Sequence, residues 1–577
     1  MNKKSSGVKF FLSQFFLILL AALIFFLANP NPVIKNGLGF LGFLTYLPVI
    51  FCVCKSSFKN VWIFGGIYGA LAYGLYGYWL HSFHPLGLAI VCIFYFLILA
   101  LVFLCLKLIE KLFQKNAWLV QWLFLASYEY LKTLGFAGFS YGVTAYTQWK
   151  NLYFIQIVDL IGVFGLNLVV IFPSFWIFSI IIKSQKRFFL LNAVEEPKVE
   201  NHKTENHSNI SAFVKKEKAL KLTDRRATVI TAFVWLGLVL SFYIYGFVDI
   251  GKKENHKENH KSLKVAAIQN NEDPWKNGIN EYSKNIQSLK ELTDEALEFY
   301  PDIDFVIWPE TAVVPSIIHH YYDFTDQNRF KLVYSLLNYI ENKDAIFVIG
   351  NAHEEISRGQ NIGRYNSAFV FQPGKNVIPP EPDQYSKIHL VPFTEHFPYA
   401  KYFPKLYKLL LNGDTHMWEN GKIHKVFDYK GLKFSTPICF EDTFGNDCRI
   451  FVKKGARAFF NLSNDAWSKS LACQNQHLAM AVFRSVENRI PSVRSTASGQ
   501  TCIINQNGFI EAETPEFCRS FVVGNIPILG DDFKESFYTK YGDLFGLSEC
   551  LITGLILIIQ IFSVIIRHIL KTDDSKK

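Results

Sequence analysis

The sequence predicts a two-part protein: a helical membrane domain of about eight spans and a water-facing domain of alternating strands and helices. Two observations carry this. Hydrophobic residues make up 50% of the chain, and they gather into blocks at 1–182, 228–248 and 544–566 instead of spreading evenly. Between the last two blocks, short apolar runs alternate with longer stretches of helical period. At 577 residues the chain also exceeds one ordinary domain. The expected boundaries are 1–248 for seven spans with a basic insert at 183–227, 249–543 for the outer domain, and 544–577 for an eighth span and a tail.

The first span, 10–28, follows Lys3, Lys4 and Lys9. Its start is that of a signal peptide, but no small-residue cleavage site precedes Asn29-Pro30 and more apolar runs follow, so it reads as a retained helix. Further spans are expected at 37–54, 61–80, 86–106, 117–134, 155–182, 228–248 and 544–566. Most approach the roughly 20 residues that cross a bilayer. The run 117–134 is interrupted by Glu129 and Lys132, which share one helix face. Ionisable residues at membrane depth point to function, and an interfacial helix whose charges reach water is the plainer alternative.

The net charge of +10 does not indicate nucleic acid, because the basic residues lie mostly in short loops beside the apolar blocks. Lys55 and Lys59 follow the second span, Lys107, Lys111 and Lys115 follow the fourth, and 183–227 is densely basic. The alternate loops, 29–36 and 81–85, are nearly uncharged. Positive residues stay inside, so both termini are expected in the cytoplasm and 249–543 outside it.

In the outer part, strands are expected at 263–269, 304–308, 345–350, 366–372, 432–438, 457–462, 492–497, 501–505 and 520–526. Helices are expected at 282–299, with Ile286, Leu289, Leu292 and Ala296 on one face, near 326–342, and at 473–489. The alternation gives an α/β layered domain. Two patches of a Glu-Asn-His repeat, at 200–208 and 254–261, read as solvated spacers rather than metal sites, and this topology puts them on opposite sides of the membrane. Of ten cysteines, Cys439, Cys448, Cys473, Cys502 and Cys518 belong to the outer domain. An odd number leaves at least one thiol unpaired. None has the two-residue spacing of a zinc or redox site, so no metal is expected; no cofactor is expected either.

The chemistry centres on Ser435-Thr436-Pro437-Ile438-Cys439-Phe440-Glu441-Asp442. A thiol that ends a buried strand can be held at a sharp turn and presented as a nucleophile. On its own it reads more simply as a packed cysteine, since free cysteines are among the most buried residues. Two other stretches weigh in: Phe305-Val306-Ile307-Trp308-Pro309-Glu310 and Tyr385-Ser386-Lys387-Ile388-His389-Leu390-Val391-Pro392-Phe393-Thr394-Glu395. A thiol is only a few per cent ionised at neutral pH, so it needs a base. Glu310 is the candidate base and Lys387 the cation for a developing oxyanion. The plainer readings are a helix-capping acid and a surface lysine.

These three stretches resemble the nitrilase, or carbon–nitrogen hydrolase, superfamily, whose triad is Glu-Lys-Cys. With the membrane segments, residues 10–566 resemble the apolipoprotein N-acyltransferase family. The resemblance implies a nitrilase-like α-β-β-α sandwich outside the membrane. It implies Glu310, Lys387 and Cys439 as the catalytic residues and Glu395 and Glu441 as supporting acids. Trp275, Asn366 and Trp467 are expected to line the substrate site. Asn461 to Trp467, Gln476-His477 opening a helix, Arg484 to Arg489, and Arg494-Ser495-Thr496 also match, with loop and helix-cap chemistry as their plainer role. Glu129 and Lys132, ahead of the Phe/Gly-rich stretch 135–142, are similar to that family's membrane domain. Ser468-Lys469 and Ala497 depart from its pattern and put the substrate loops in doubt.

The implied activity transfers an acyl chain from a phospholipid, through a Cys439 thioester, to the N-terminal amine of a diacylglyceryl-cysteine on a lipoprotein. The implied place is the cell inner membrane, with the outer domain in the periplasm. The same triad with water as acceptor gives a membrane-tethered amidase or nitrilase instead. An inactive transporter or structural protein is a third reading. The tyrosines Tyr68, Tyr73, Tyr76 and Tyr78 with Trp79 read as a lipid entry or as helix packing.

Overall fold

The computed structural model describes residues 3–574 apart from 84–85, 136–137, 195–206, 257–260, 273–275, 358–359, 393, 398, 400, 411–416 and 531–532. Trp275 and much of both Glu-Asn-His patches therefore lie outside the described residues.

All eight apolar segments form helix, with boundaries that differ from those expected. Among the described residues five runs are long and apolar enough to cross a membrane by length and composition: Gly7–Ala28, Gly87–Leu131, Val158–Ser184, Arg226–Gly251 and Leu544–Leu570. Gly87–Leu131 holds two of the expected spans, the helices Gly87–Phe113 and Ala117–Leu131 with a tight turn at Gln114–Asn116 between them. Two expected spans are shorter. The run 37–54 divides into the 3-10 turn Gly39–Leu44 and the helix Leu47–Lys55, where Pro48 sits in the first turn, the place a proline is tolerated. The run 61–80 gives the helix Val61–Tyr76, stopped at Gly77. The described parts of the basic insert, 183–194 and 207–227, are helical, within Val158–Val194 and His207–His256. Large apolar side chains such as Phe16, Leu97, Phe233, Phe247 and Leu551 stand exposed along these helices, as a lipid-facing surface requires.

Among the described residues the C-terminal α/β domain holds twelve strands: β1 Ser262–Gln269, β2 Phe305–Ile307, β3 Ile346–Ser357, β4 Gln360–Phe371, β5 Asp383–Ser386, β6 Phe427–Tyr429, β7 Leu432–Ser435, β8 Ala458–Ser463, β9 Ser492–Thr496, β10 Cys502–Ile504, β11 Ile510–Glu513 and β12 Ser520–Pro527. They form two six-stranded sheets, ordered β12-β1-β2-β3-β4-β5 and β11-β10-β9-β8-β7-β6. The two-residue period of a strand sorts the side chains. Val265, Ala267, Phe305, Ile307 and Val348 face the second sheet, where the rings of Phe434 and Phe460 lie 4.4 Å apart. Ala266, Ile268, Val306, Trp308 and Phe347 face outward onto the helices Ile279–Phe299 and Gln327–Glu341.

The helix Leu471–Asn488 is the layer shared by the two domains. Every residue from Ala472 to Asn488 is buried. Its apolar side chains join one core with the membrane helices and with Cys502 and Ile504 of β10. Its polar ones tie the domains together. Gln476 accepts from Trp79 Nε1 at 3.0 Å and donates to the carbonyls of Pro30 (2.9 Å) and Tyr76 (3.1 Å). Glu487 accepts the N–H of Val163, beside the break at Gly162. Arg489, just past the helix, donates to Asp159 at 2.7 Å.

Three strands were not expected, β5, β6 and β11, each of three or four residues. β6 and β7 form a hairpin turned by Lys430 and Gly431, both at positive φ (51° and 80°), the geometry that suits the twist of paired strands. β7 is shorter than expected. It stops at Ser435 because Pro437 has no N–H for the ladder, and pairing returns only as a single bridge from Ile438 to Leu462.

Candidate active site

Three strand ends from the two sheets meet at one cavity. Glu310 follows β2 and Lys387 follows β5, both in the first sheet, and Cys439 follows β7 in the second. The cavity, of about 320 Å³, is lined near its polar end by Glu310, Glu395, Asn366, Cys439 and Asp465. Toward the membrane helices it is lined by Trp79, Leu80, Phe139, Tyr141 and Trp467. Lys387 lies beneath this lining, fully buried.

Glu310 is held by its backbone as much as by its side chain. Trp308 is buried, donates its backbone N–H to Val348 (2.9 Å) and its indole N–H to Thr293 (3.0 Å). Pro309 then carries the chain across β3 at Gly350. A Cβ on Gly350 would come under 3.0 Å from Pro309 O, Thr311 N and Glu310 Cα, so only glycine admits this crossing. The Glu310 carboxylate accepts from Asn366 Nδ2 at 2.7 Å and from Lys387 Nζ at 3.1 Å, both on Oε1.

Lys387 stands between two acids. Its ammonium also donates to Glu395 Oε1 at 2.9 Å, and Glu395 Oε2 is fixed by the N–H of Val391 at 2.7 Å. Burial alone depresses an ammonium pKa, but Glu310 and Glu395 outweigh it and the net shift is upward. Lys387 therefore keeps its charge.

Cys439 occupies the left-handed backbone region, φ 50°, a strained position for a residue with a side chain. It opens the 3-10 turn Cys439–Thr443 and remains part-exposed to the cavity while Phe440, Glu441 and Asp442 are buried. Of the ten cysteines, all free thiols, it is the one in the cavity lining. Burial first, and then the charge of Glu310, push its thiol pKa well up, against the opposing pull of Lys387. Burial likewise raises the Glu310 carboxyl, with Lys387 opposing. The resting pair is thus a neutral thiol beside a carboxylate of raised proton affinity, which favours transfer of the proton from sulfur to Glu310 when an electrophile arrives.

Glu441, expected as a supporting acid, makes no hydrogen bond or ion pair with the Lys387 ammonium among the described residues; that ammonium acts on it only through its charge. It holds backbone. Oε1 accepts from Tyr385 Oη (2.7 Å), Ile388 N (2.7 Å) and His389 N (3.1 Å), and Oε2 accepts from Ile438 N (2.7 Å). Trp467 lines the cavity and meets Trp79 edge-on, ring centroids 5.5 Å apart. Of the aromatic cluster in 68–79, only Trp79 lines the cavity. Tyr68, Tyr73 and Tyr76 are helix core, and Tyr78 bonds Ser470 at 2.8 Å.

A second charged group lies behind Cys439. Asp442 accepts from Arg494 and from His477 Nε2 (2.7 Å), and His477 Nδ1 bonds Asp465 at 3.1 Å. Although burial opposes it, the two aspartates raise the His477 pKa to about 9, and Arg494 holds Asp442 below its ordinary range. The sequence reading expected Gln476-His477 to open a helix. The helix instead starts at Leu471 with Ser470 as its cap, and His477 sits in its second turn as a buried cation.

Two family models match the chain: "Carbon-nitrogen hydrolase" over residues 264–528 and "Apolipoprotein N-acyltransferase N-terminal domain" over residues 21–176. An apolipoprotein N-acyltransferase 1 of Treponema denticola is 35% identical over 98% of this chain and 99% of that protein. One of Treponema pallidum is 40% identical over 95% of both. The chain belongs to the apolipoprotein N-acyltransferase family. A third member, from Borreliella burgdorferi, is 31% identical over 90% of each chain. Membership accounts for the pairing of an apolar helical region with a two-sheet nitrilase-like domain, which a free-standing carbon–nitrogen hydrolase does not need.

Proposed function

We propose that the protein N-acylates lipoproteins with an acyl chain taken from a phospholipid, using Cys439 as nucleophile, Glu310 as base and Lys387 as oxyanion partner. The observation that supports this best is the cavity itself. It exposes the Cys439 thiol beside the Glu310–Lys387–Glu395 cluster at one end and opens among membrane-helix aromatics at the other.

In the first half-reaction Glu310 takes the Sγ proton as sulfur attacks the ester carbonyl carbon. The C–S bond forms and the carbonyl electron pair moves onto oxygen, beside the Lys387 ammonium. Collapse breaks the C–O bond, and the proton on Glu310 passes to the departing glycerol oxygen. A lysophospholipid leaves and the acyl chain stays as a thioester. In the second half the α-amine of a diacylglyceryl-cysteine attacks the same carbon, Glu310 takes an amine proton, and the C–S bond breaks. The proton returns to sulfur, and the lipoprotein departs as an amide. With the basic segments inside, the cavity opens at the outer face of the inner membrane, where donor and acceptor both reside.

The test is a two-stage incubation of purified protein. Phospholipid alone is expected to yield one lysophospholipid per enzyme and little free fatty acid, and addition of a diacylated lipopeptide is expected to start turnover. Continuous fatty-acid release without lipopeptide indicates a hydrolase instead.

A further inference from the structure

His389 follows Lys387 by two residues, and the steps above leave it without a task. It reaches from the lysine's turn to the segment that carries Cys439. Its backbone N–H donates to Glu441 Oε1 at 3.1 Å. Its ring Nε2 lies 2.6 Å from Asp447 Oδ2, in the first turn of the helix Gly445–Lys453 that follows the nucleophile's turn. The face of the ring stacks on Phe444, with centroids 4.7 Å apart. Phe444 in turn meets the Phe440 ring edge-on at 4.9 Å, and Phe440 lines the cavity beside Cys439.

An acid in the first turn of a helix needs no partner to be favourable there. Asp447 nevertheless has two. His424, from the segment before β6, brings its Nε2 within 3.4 Å of Asp447 Oδ1. The Lys387 turn, that segment and the nucleophile's helix thus converge on one carboxylate. Asp447 is only 14% exposed, so water screens the cluster less than it would a surface pair.

The neighbours set the charge on His389. Burial works against an imidazolium, but Asp447 and then Glu441 favour it, and the net shift is upward. Burial likewise opposes a charged Asp447, yet the bonds from His389 and His424 hold it down to about 2. Asp543, ahead of the last apolar helix, feels the Asp447 charge from the other side, and Lys454 turns away to the His424 carbonyl at 3.3 Å. A charge-assisted bond is about twice as strong as a neutral one, so loss of the His389 proton slackens this tie.

We propose that His389 is a positioning residue: its imidazolium, paired with Asp447 and stacked on Phe444, holds the Lys387 turn in register with Cys439, and the hold loosens when the proton leaves. This rests on the catalytic roles given above to Cys439 and Lys387. It adds a pH-sensitive tie that touches neither substrate nor thiol.

The experiment measures single-turnover acylation of Cys439 from p-nitrophenyl palmitate by intact-protein mass spectrometry, over about pH 5 to 9, the range around histidine titration. The activated ester makes the test independent of which lipid is the natural donor. Each rate is divided by that of His389→Gln, which cancels the titration of Cys439 and Glu310. The wild-type ratio is expected to be about ten on the acid side, the scale of a sub-ångström misplacement, and to fall toward one as His389 loses its proton. Asp447→Asn is expected to move that fall to lower pH. His389→Arg is expected to keep a high ratio with no fall. If His389→Gln does not fold, the displacement of the fall between wild type and Asp447→Asn decides alone. A ratio above one that does not vary with pH assigns His389 a purely structural role and overturns the inference, as does a ratio of one throughout. Wild-type protein that forms no adduct at Cys439 at any pH refutes the triad reading itself, and the His389 assignment falls with it.

Discussion

The carboxylate of Glu441 accepts the backbone N–H of Ile388 at 2.7 Å, although the two residues belong to turns that leave different sheets. Ile388 follows Lys387 and Glu441 follows Cys439 by two. With Ile438 N on its other oxygen, Glu441 fastens the nucleophile's turn to the lysine's turn. Under the proposed mechanism Glu441 acts on geometry and reaches the rate through Lys387 and Cys439.

Glu441→Ala strands four donors, at about 1–3 kcal/mol for each that stays buried. It is expected to lower the thermal midpoint and to abolish acyl loading. Glu441→Gln keeps a carbonyl acceptor but brings an NH₂ against donors. It is expected to fold and to lose roughly 10²-fold in loading rate, the scale of small misplacements. Circular dichroism melts and single-turnover loading separate the two outcomes.

Gly350→Ala tests the crossing that carries Glu310. The added methyl meets backbone atoms, which cannot swing aside as a side chain can. The variant is expected to keep β3 and its hairpin with β4, and to lose on the order of 10²-fold in the thiol-acylation step. Full activity would show that the Glu310 backbone has slack.

Lys387→Met removes the cation between Glu310 and Glu395 and leaves the two carboxylates facing each other. The expected loss is about 10²–10³-fold in turnover from the oxyanion term alone, with lower stability. Lys387→Arg is not expected to rescue, since a planar fork does not fit a buried site built for a point charge. Rescue by arginine would argue for simple charge balance.

Two pH dependences follow from the buried charges. Burial raises the Glu310 carboxyl, so the acid limb of single-turnover loading is expected above the ~4.3 of a free glutamate. His477 acts on stability. Its folded-state pKa, about 9, exceeds the ~6.5 of an unfolded histidine. Its contribution is whole below pH 6.5, shrinks as pH rises, and is gone above about 9. The melting temperature is expected to fall across that interval, and His477→Gln to flatten the fall. An unchanged slope in the variant would locate the dependence elsewhere.

Much of this architecture is visible in the residues. Phe305 to Ile307 is an apolar run and Leu432 to Ser435 alternates apolar and polar residues, and each is followed by a proline-containing turn that carries a candidate catalytic side chain. Lys387 and Glu395, eight apart around a Leu-Val-Pro turn, are close enough in sequence for their pairing to be anticipated. β5, β6 and β11 escaped notice because three or four residues such as Asp383-Gln384-Tyr385-Ser386 show no period, and pairing with β4 makes them strands. The work of Glu441 is not legible in the sequence because three of its four partners, the Tyr385 hydroxyl and the N–H groups of Ile388 and His389, lie more than fifty residues away. The His477 network was hidden for a related reason. Leu471–Asn488 is buried on all sides, so its polar residues find partners in Asp442, Asp465 and the membrane helices, and none of these distances has a period along the chain. In the membrane domain, hydropathy located helix in each of the eight apolar segments but not the short helices Leu80–Phe83 and Leu152–Ile155 or the break at Gly162.

The central claim is that the acyl chain rests on one sulfur, and mass mapping of protein quenched after incubation with phospholipid tests it most directly. The account predicts a single hydroxylamine-sensitive acyl adduct on the peptide bearing Cys439, lost in Cys439→Ser and cleared by lipopeptide. N-acylation of the lipopeptide that proceeds with no adduct at Cys439, or with the adduct on another residue, would contradict it.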